Sequence, residues 1–292
     1  MIHPWLKAIR IRFVLASIIA VGNGLGVTYS IVKSINVEYA ALTFIGVICL
    51  HISIDLLNDY WDYKRGIDKV TKRTKFSGGS GVLPENILTS KSVYIAGILF
   101  LLIGTIVGSY LVLVRGITIA IILVFAIFAV YFYSTTIINA GLGEIFVAVK
   151  GTLIVIGTVY VQIGALEPAA LYNGIIIGLL SAVVLLVNSF PDYDADRSKG
   201  RRTLVIILGK QRASKIFPLL ILIPYVLIMA GIVSSYTTVF SGLCFLSIPF
   251  AVRAISDLKN SNIWVSKLER AMASTVIYSR LIGSLLAISY FI

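Results

Sequence analysis

The sequence predicts an all-α membrane protein whose nine transmembrane helices form two pseudo-repeated four-helix units around a central cavity. The chain of 292 residues is 58% hydrophobic and only 13% charged, whereas soluble domains carry about 25% charged residues. Apolar stretches of membrane-spanning length recur along it, and two aspartate-rich segments at a constant spacing each follow one of them. Nucleic-acid binding is excluded, because no soluble basic domain is left to carry it.

A spanning helix requires roughly 20 consecutive apolar residues, and nine stretches meet this requirement. The predicted spans are 12–33, 37–57, 92–114, 116–136, 142–163, 170–190, 214–233, 236–255 and 273–292. Together they predict one membrane domain over residues 1–292. Cys49 and Cys244 lie inside apolar stretches and are expected to pack there as small apolar side chains. The basic start of the chain shows no small-residue cleavage site, so we expect no removed signal peptide.

Positive charge predicts the orientation of these spans. Of the 25 lysine and arginine residues, 21 fall in the N-terminal segment and in the loops that follow the second, sixth and eighth spans. Only Lys33 and Arg115 fall in loops of the opposite side. Because cytoplasmic loops carry the excess of positive charge, the N-terminus and both aspartate-rich segments are predicted on the cytoplasmic face of the cell membrane. An odd number of spans then places Ile292 outside.

The two aspartate-rich segments, 58–68 and 188–200, are the strongest functional signal. They hold six of the 13 acidic residues, and each leads into lysines and arginines. Ionised groups near hydrocarbon are costly, so they are usually paired, hydrated or metal-bound. One interpretation is that the acids only neutralise neighbouring cations at the membrane interface. The other is that they form a binding site.

The segments also align with each other. A constant offset of 134 residues pairs Asn58 with Asp192, Asp62 with Asp196 and Gly66 with Gly200. Four spans separate the segments, so both face the same side of the membrane. A parallel duplication of this kind places corresponding motifs across a shared central cavity.

The spacing within each segment predicts two rows of oxygen ligands, because residues four apart share one helix face. We call Asn58 and Asp62 the first ladder, and Asn188, Asp192 and Asp196 the second ladder. Mg²⁺ prefers such oxygens and typically binds one or two carboxylates, with substrate phosphates completing its coordination. A Mg²⁺–diphosphate site is therefore predicted. Its expected ligands, from the ladders and the loop beyond the first of them, are Asn58, Asp62, Asp68, Asp192 and Asp196.

Cationic and aromatic residues add to this prediction. The segment 72–81, rich in glycine, serine and cations, is expected to lie over the ladders and to cradle phosphate oxygens. Lys150 lies about two turns into the fifth span, where a buried cation is a functional hypothesis by default. Tyr131 and Tyr133 lie near the end of the fourth span, where aromatic faces that line the cavity stabilise a developing cation.

With these motifs the chain resembles the UbiA superfamily of intramembrane aromatic prenyltransferases. The resemblance is carried by Asn58-Asp59-x-x-Asp62, by Asp192-x-x-x-Asp196 and by the nine spans, and it covers essentially the whole chain.

Within the superfamily the chain is similar to the menaquinone branch, which uses 1,4-dihydroxy-2-naphthoate. The similar stretches are 58–68, 78–81, 141–144 and 200–204. The hydroxybenzoate branch typically carries the last acid of its first motif four residues after the middle one, where this chain has Gly66 and places the acid at Asp68. That branch also tends to have a basic residue shortly after Tyr133, and this chain has none.

The resemblance implies roles for these residues. Mg²⁺ on the ladders would bind the diphosphate of a polyprenyl donor such as geranylgeranyl diphosphate, Lys150 and Arg73 would help to neutralise the departing diphosphate, and Asp62 would orient or deprotonate the acceptor. The implied catalytic residues are Asp62, Asp68, Lys150 and Tyr133. The implied substrate-binding residues are Asn58, Arg73, Lys150, Tyr131, Tyr133, Asn188 and Arg201.

Three alternatives stay open. One is geranylgeranyl transfer to a glycerol-phosphate lipid, as in archaeal lipid synthesis. A second is an anion transporter, which would place cations rather than acids at its site and would break its helices with glycine or proline. A third is CDP-alcohol phosphotransfer, which also uses aspartate ladders and Mg²⁺ but expects a single longer motif and fewer spans. The length of the prenyl chain depends on the depth of the cavity and cannot be derived from the sequence.

Overall fold

A computed structural model describes residues 3–68, 70, 71, 73–259 and 265–292. All regular structure within these residues is helical, and nine of the helices there are long and apolar enough to cross a membrane, which confirms the predicted fold class. Lys69 and Lys72 of the cationic loop lie outside the described residues. The helices are α1 (Pro4–Ala8), α2 (Ile11–Val32), α3 (Val37–Lys64), α4 (Ser90–Arg115), α5 (Ile117–Phe132), α6 (Gly143–Ile163), α7 (Pro168–Ser198), α8 (Leu204–Leu208), α9 (Lys210–Val233), α10 (Ile248–Lys259) and α11 (Val265–Ile288), with a π-helical turn at Tyr133–Ile137 and a 3₁₀ helix at Val239–Ser247.

The two helices that carry the ladders extend well beyond their predicted apolar spans. α3 ends at Lys64 rather than at 57, and α7 ends at Ser198 rather than at 190. After each of them comes a glycine in the left-handed region, Gly66 with φ +69° and Gly200 with φ +78°, a conformation that glycine adopts without steric penalty. α7 also continues through Pro191. Both ladders therefore lie on continuous helix, as their four-residue spacing requires.

The last two predicted spans differ most from the structure. The eighth, predicted at 236–255, is a 3₁₀ helix joined to α10, which ends at Lys259. The ninth begins at Val265 rather than at 273, because the turns around Lys267 and Arg270 are helical although they are polar. Hydropathy identifies the part of a helix that lies in hydrocarbon and not its ends in water.

Close packing of α6 against α7 fixes one wall of the bundle. A Cβ at Gly151 of α6 would lie 2.9 Å from the Cα of Gly178 of α7, and a Cβ at Gly178 would lie 2.2 Å from the carbonyl oxygen of Ala148. Small residues allow transmembrane helices to approach this closely. The contact therefore holds α7, which carries the second ladder, beside α6, which carries Lys150.

Polar contacts connect the remaining helices. Asn23 of α2 donates to the carbonyl oxygen of Gly283 in α11 at 2.8 Å, and Ser53 of α3 donates to that of Gly97 in α4 at 2.8 Å. Interhelical hydrogen bonds of this kind contribute roughly 1 kcal/mol each. The resulting bundle encloses a polar cavity between α2, α3, α6, α7 and α11.

Candidate active site

The polar cavity lies where α3 and α7 end. It contains about 1410 Å³ of space, its open mouth included. All five predicted metal ligands line it: Asn58, Asp62, Asp68, Asp192 and Asp196. The structure thus brings both ladders to one site.

The buried guanidinium of Arg201 joins the two ladders. It donates through Nη2 to Asp62 in a short contact and through Nη1 to Asp196 at 3.2 Å. The two carboxylates are therefore separated by the width of one guanidinium, although they lie 134 residues apart in sequence. A second arginine, Arg10, pairs with Asp59 next to the first ladder. Asp59, Asp62 and Asp196 are thus each paired with an arginine.

Segments 141–144 and 200–204, which are both similar in sequence to the menaquinone branch, contact each other next to Arg201. The buried carboxylate of Glu144, at the start of α6, accepts a hydrogen bond from the backbone N–H of Leu204 at 3.0 Å. This contact holds segment 200–204 in place. Glu144 is thus a positioning residue for Arg201, which lies three residues before Leu204.

Asp68 brings a further carboxylate to the cavity. Its burial, followed by the negative charges of Asp62 and Asp59, raises the pKa of Asp68 to about 7. Crowded, buried carboxylates disfavour their own ionised forms, and a bound cation reverses that preference. The electrostatics of the mouth therefore favour a divalent cation.

The donor atoms present fit Mg²⁺. The Oδ1 atoms of Asn188 and Asp192 are buried and have no hydrogen-bond partner within the described part of the chain. Every predicted ligand offers oxygen, which hard cations prefer. No group of three or more His, Cys, Asp or Glu side chains among the described residues is close enough to form a complete metal cage. Mg²⁺ does not need one, since it usually binds one or two carboxylates and takes its other ligands from phosphates and water.

The glycine-rich loop reaches from Asp192 of the second ladder to Asp59, which adjoins the first ladder. The N–H of Gly78 donates to Asp192 at 3.2 Å, and the N–H of Ser80 donates to Asp59 at 3.3 Å. Between them Gly79 has φ +75°, and a Cβ there would lie 3.1 Å from Oδ1 of Asp68. Only glycine allows the loop backbone to lie this close to the acids.

The other predicted binding residues divide into two groups. Tyr133, Lys150, Asn188 and Arg201 line the polar cavity. Tyr133 belongs to the π-helical turn that follows α5, and such turns are frequent at functional sites.

Arg73 and Tyr131 are not among the described residues that line the cavity. Arg73 is paired with Glu85 at 2.5 Å, and Tyr131 packs against the cluster of Leu57, Leu101 and Val130. Their predicted contact with substrate stays a prediction without a supporting position.

Arg10, His51 and Asp55 also line the cavity, although the sequence analysis did not identify them as site residues. His51 and Asp55 precede Asp59 at intervals of four residues, so the same helical spacing continues the acidic face of α3 towards the membrane centre. Nε2 of His51 lies 3.6 Å from Oδ2 of Asp55. We call His51, Asp55 and Lys150 the inner cluster.

A second, apolar cavity continues inward from the inner cluster. It shares His51, Ile54 and Lys150 with the polar cavity and is otherwise lined mainly by aliphatic residues of α3 to α6. It contains about 940 Å³ of space. A polar mouth that leads into an apolar interior suits an amphiphile with an anionic head and a hydrocarbon tail.

Comparison with known sequences shows which protein family this chain matches. A model of the UbiA prenyltransferase family matches residues 16–274. The chain is 26% identical over 254 residues to a 1,4-dihydroxy-2-naphthoate octaprenyltransferase of Bacillus subtilis, covering 84% of this chain and 79% of the relative. It is 25% identical over 260 residues to UbiA prenyltransferase domain-containing protein 1 of Xenopus tropicalis, covering 85% of this chain and 71% of the relative.

Solved structures show the same fold. A UbiA homolog from Archaeoglobus fulgidus bound to GPP and Mg²⁺ superimposes with a TM-score of 0.67 at 15% identity, covering 97% of this chain and 100% of the homolog. The apo structure of a UbiA homolog from Aeropyrum pernix K1 gives a TM-score of 0.69 at 15% identity, covering 94% and 96%.

Proposed function

This chain belongs to the UbiA prenyltransferase family, and we propose that it transfers a polyprenyl group from a polyprenyl diphosphate to a hydroxylated naphthoate in menaquinone synthesis. One observation carries the proposal: two acidic ladders converge at the mouth of an apolar cavity. The mouth suits the diphosphate of a polyprenyl donor, and the apolar cavity suits its hydrocarbon tail. The excess of loop cations on the ladder side supports a cytoplasmic location for this mouth.

The donor diphosphate is held at the mouth. Asn58, Asp62, Asp68, Asp192 and Asp196 would hold Mg²⁺, which when bound supplies positive charge to the diphosphate oxygens. Mg²⁺ bound together with GPP in the Archaeoglobus fulgidus homolog supports this assignment.

Two arginines of the chain add to the charge at the mouth. Arg201 is buried and Arg10 is half-buried beside the carboxylates, and both keep their charge under all physiological conditions. They stabilise the negative charge that develops on the leaving diphosphate.

Transfer exchanges one bond for another. The C1–O bond of the donor breaks, and its electron pair leaves with the diphosphate. A π electron pair of the acceptor ring forms the new bond to C1. The ring carbon that was attacked then loses the group it carried, either a hydrogen as a proton or a carboxylate as CO₂. Tyr133 lines the cavity and offers an aromatic face to the allylic cation. The apolar lining of the inner cavity protects that cation from water.

The acceptor assignment rests on the relatives. The Bacillus subtilis protein and an Escherichia coli protein that is 31% identical over 186 residues, covering 60% of this chain and 59% of the relative, are both 1,4-dihydroxy-2-naphthoate octaprenyltransferases. The alternative of a glycerol-phosphate lipid as acceptor has support in fold alone, from a digeranylgeranylglyceryl phosphate synthase that superimposes with a TM-score of 0.64 at 14% identity over 98% of this chain and 97% of the synthase. Membership of a prenyltransferase family removes the anion-transporter alternative.

A transfer assay in membranes separates these acceptors. Radiolabelled geranylgeranyl diphosphate and Mg²⁺ are supplied with 1,4-dihydroxy-2-naphthoate, 4-hydroxybenzoate or geranylgeranylglyceryl phosphate. We expect labelled product from the naphthoate alone. Product from the glyceryl phosphate alone would reassign the chain to lipid synthesis, and product from the hydroxybenzoate alone would reassign it to the other quinone branch.

Replacement of Gly79 by alanine tests the role of the glycine-rich loop. The new Cβ would lie 3.1 Å from Oδ1 of Asp68 and 3.5 Å from Oδ1 of Asp59, on a backbone with φ +75°. We expect prenyl transfer to fall by about tenfold or more, because small displacements of catalytic groups are costly.

Gly116→Ala is the matched control for this variant. Gly116 has a similar φ of +78°, but an added Cβ there would have no atom within 4 Å. Gly116→Ala should also bear the strain of a side chain at positive φ, but without loss of transfer. Equal rates for both alanine variants would show that the loop does not position the acids.

A further inference from the structure

The inner cluster lies deeper in the polar cavity than the two ladders. Asp55 precedes Asp62 by seven residues on α3, and Lys150 follows the start of α6 at Gly143 by seven residues. Each interval corresponds to about 10 Å along a helix. The charged groups that act on Lys150 and His51 are those of Asp55, Arg10 and the cluster itself. The ladder carboxylates of Asp62 are not among them. Lys150 therefore lies deeper in the cavity than the predicted metal ligands.

Lys150 has an unusual environment for a lysine at membrane depth. Its Nζ forms no hydrogen bond or ion pair within the part of the chain that the structure describes. The Oδ2 atom of Asp55 is likewise buried without a hydrogen bond in that part. Buried charges are normally paired, because an unpaired one is costly. The cavity thus presents one ammonium donor and one carboxylate acceptor to whatever enters it.

His51, the third residue of the inner cluster, contacts both α2 and Asp55. His51 shares a hydrogen bond of 2.5 Å with the hydroxyl of Ser17 on α2, through its Nδ1 atom. Its Nε2 atom faces Asp55 at 3.6 Å. This contact is too long for a hydrogen bond, so Oδ2 of Asp55 can still accept a hydrogen bond from a ligand.

We propose that Lys150 and Asp55 form the acceptor-recognition site, in which the ammonium binds a carboxylate of the aromatic acceptor and Asp55 accepts a hydrogen bond from a hydroxyl on its ring. This inference rests on the proposed function. The inner cluster lies at the junction of the polar and apolar cavities, where the prenyl tail passes from one to the other. An acceptor held there lies beside the reactive end of the donor. The partner of Lys150 is then the acceptor rather than the diphosphate that the family resemblance implies.

A pair of acceptors isolates the contribution of Lys150. The naphthoate carries the carboxylate, whereas 1,4-dihydroxynaphthalene, used anaerobically, carries only the hydroxyls. For Lys150→Met we expect the KM of the naphthoate to rise about tenfold or more, because a hydrogen bond to a charged group is lost. The KM values of 1,4-dihydroxynaphthalene and of geranylgeranyl diphosphate should stay within about twofold.

Three further variants complete the experiment. Lys150→Arg should keep the preference for the naphthoate, and Lys33→Met, an exposed lysine elsewhere on the chain, should change neither acceptor. Asp55→Asn should slow transfer to both acceptors equally, because both carry the hydroxyls. Unchanged Mg²⁺-dependent binding of the donor shows that each variant is folded.

Two results would overturn the inference. One is an equal effect of Lys150→Met on both acceptors. The other is a change in the KM of the donor while that of the naphthoate stays constant. Failure of the proposed function has a different signature, since the unaltered protein would then prenylate neither naphthalene acceptor.

Discussion

Replacing Asp62 or Asp196 by asparagine should reduce prenyl transfer by about 100-fold or more. Each carboxylate represents one ladder, and both contact Arg201. Asparagine keeps the size of the side chain and one acceptor oxygen but removes the negative charge. Each variant should therefore lose Mg²⁺ and donor binding rather than its fold, and the rate of labelled product formation in detergent measures the loss.

Asp194→Asn is the control for these variants. Asp194 belongs to the same aspartate-rich segment, but its side chain is 84% exposed and pairs with Lys210 on the surface at 3.3 Å. Surface pairs contribute little, so its transfer rate should stay within about twofold of the unaltered protein. If Asp62→Asn and Asp196→Asn are monodisperse and thermally stable yet turn over at a comparable rate, neither ladder binds the donor.

Removal of divalent metal should abolish turnover. The predicted ligands are oxygen donors, and they do not form a closed cage within the described residues, so a bound ion would need the diphosphate to complete its coordination and would be removed readily. Exhaustive chelation should lower transfer below detection, and Mg²⁺ or Mn²⁺ should restore it.

Added monovalent salt is the control for this prediction, because it supplies charge screening without a coordinating cation. It should not restore turnover to the chelated protein. Undiminished transfer after chelation would mean that Arg10 and Arg201 alone neutralise the diphosphate.

Local patterns predict much of this protein. Hydropathy locates all nine spans, because each must match the thickness of the bilayer. The four-residue spacing places Asp192 and Asp196 on one face of α7, and Gly66 and Gly200 follow the helix ends as left-handed residues. These features depend only on neighbouring residues. The polar ends of α3, α7 and α11 extend beyond the predictions, because helix in water leaves no apolar signal.

Contacts between distant helices could not be predicted in the same way. The pairing of Arg201 with Asp62 joins the segment after α7 to the end of α3, and that of Arg10 with Asp59 joins the N-terminal segment to α3. Neither leaves a periodic pattern in the sequence. Asp55 is different, because it lies four residues before Asp59 and this spacing predicts that the two share a helix face. Its position inside an apolar span hides this signal. The predicted pseudo-repeat of two four-helix units stays a prediction, supported by the meeting of the two ladders.

Equilibrium binding of a non-reactive donor analogue, geranylgeranyl thiolodiphosphate, tests the central assignment most directly, because it needs no acceptor. Calorimetry on the detergent-solubilised protein should show saturable binding with Mg²⁺, none after chelation, and none in Asp62→Asn or Asp196→Asn. Asp194→Asn should bind as the unaltered protein does. Binding of equal affinity without metal, or in both ladder variants, would contradict a Mg²⁺–diphosphate site built from the two ladders.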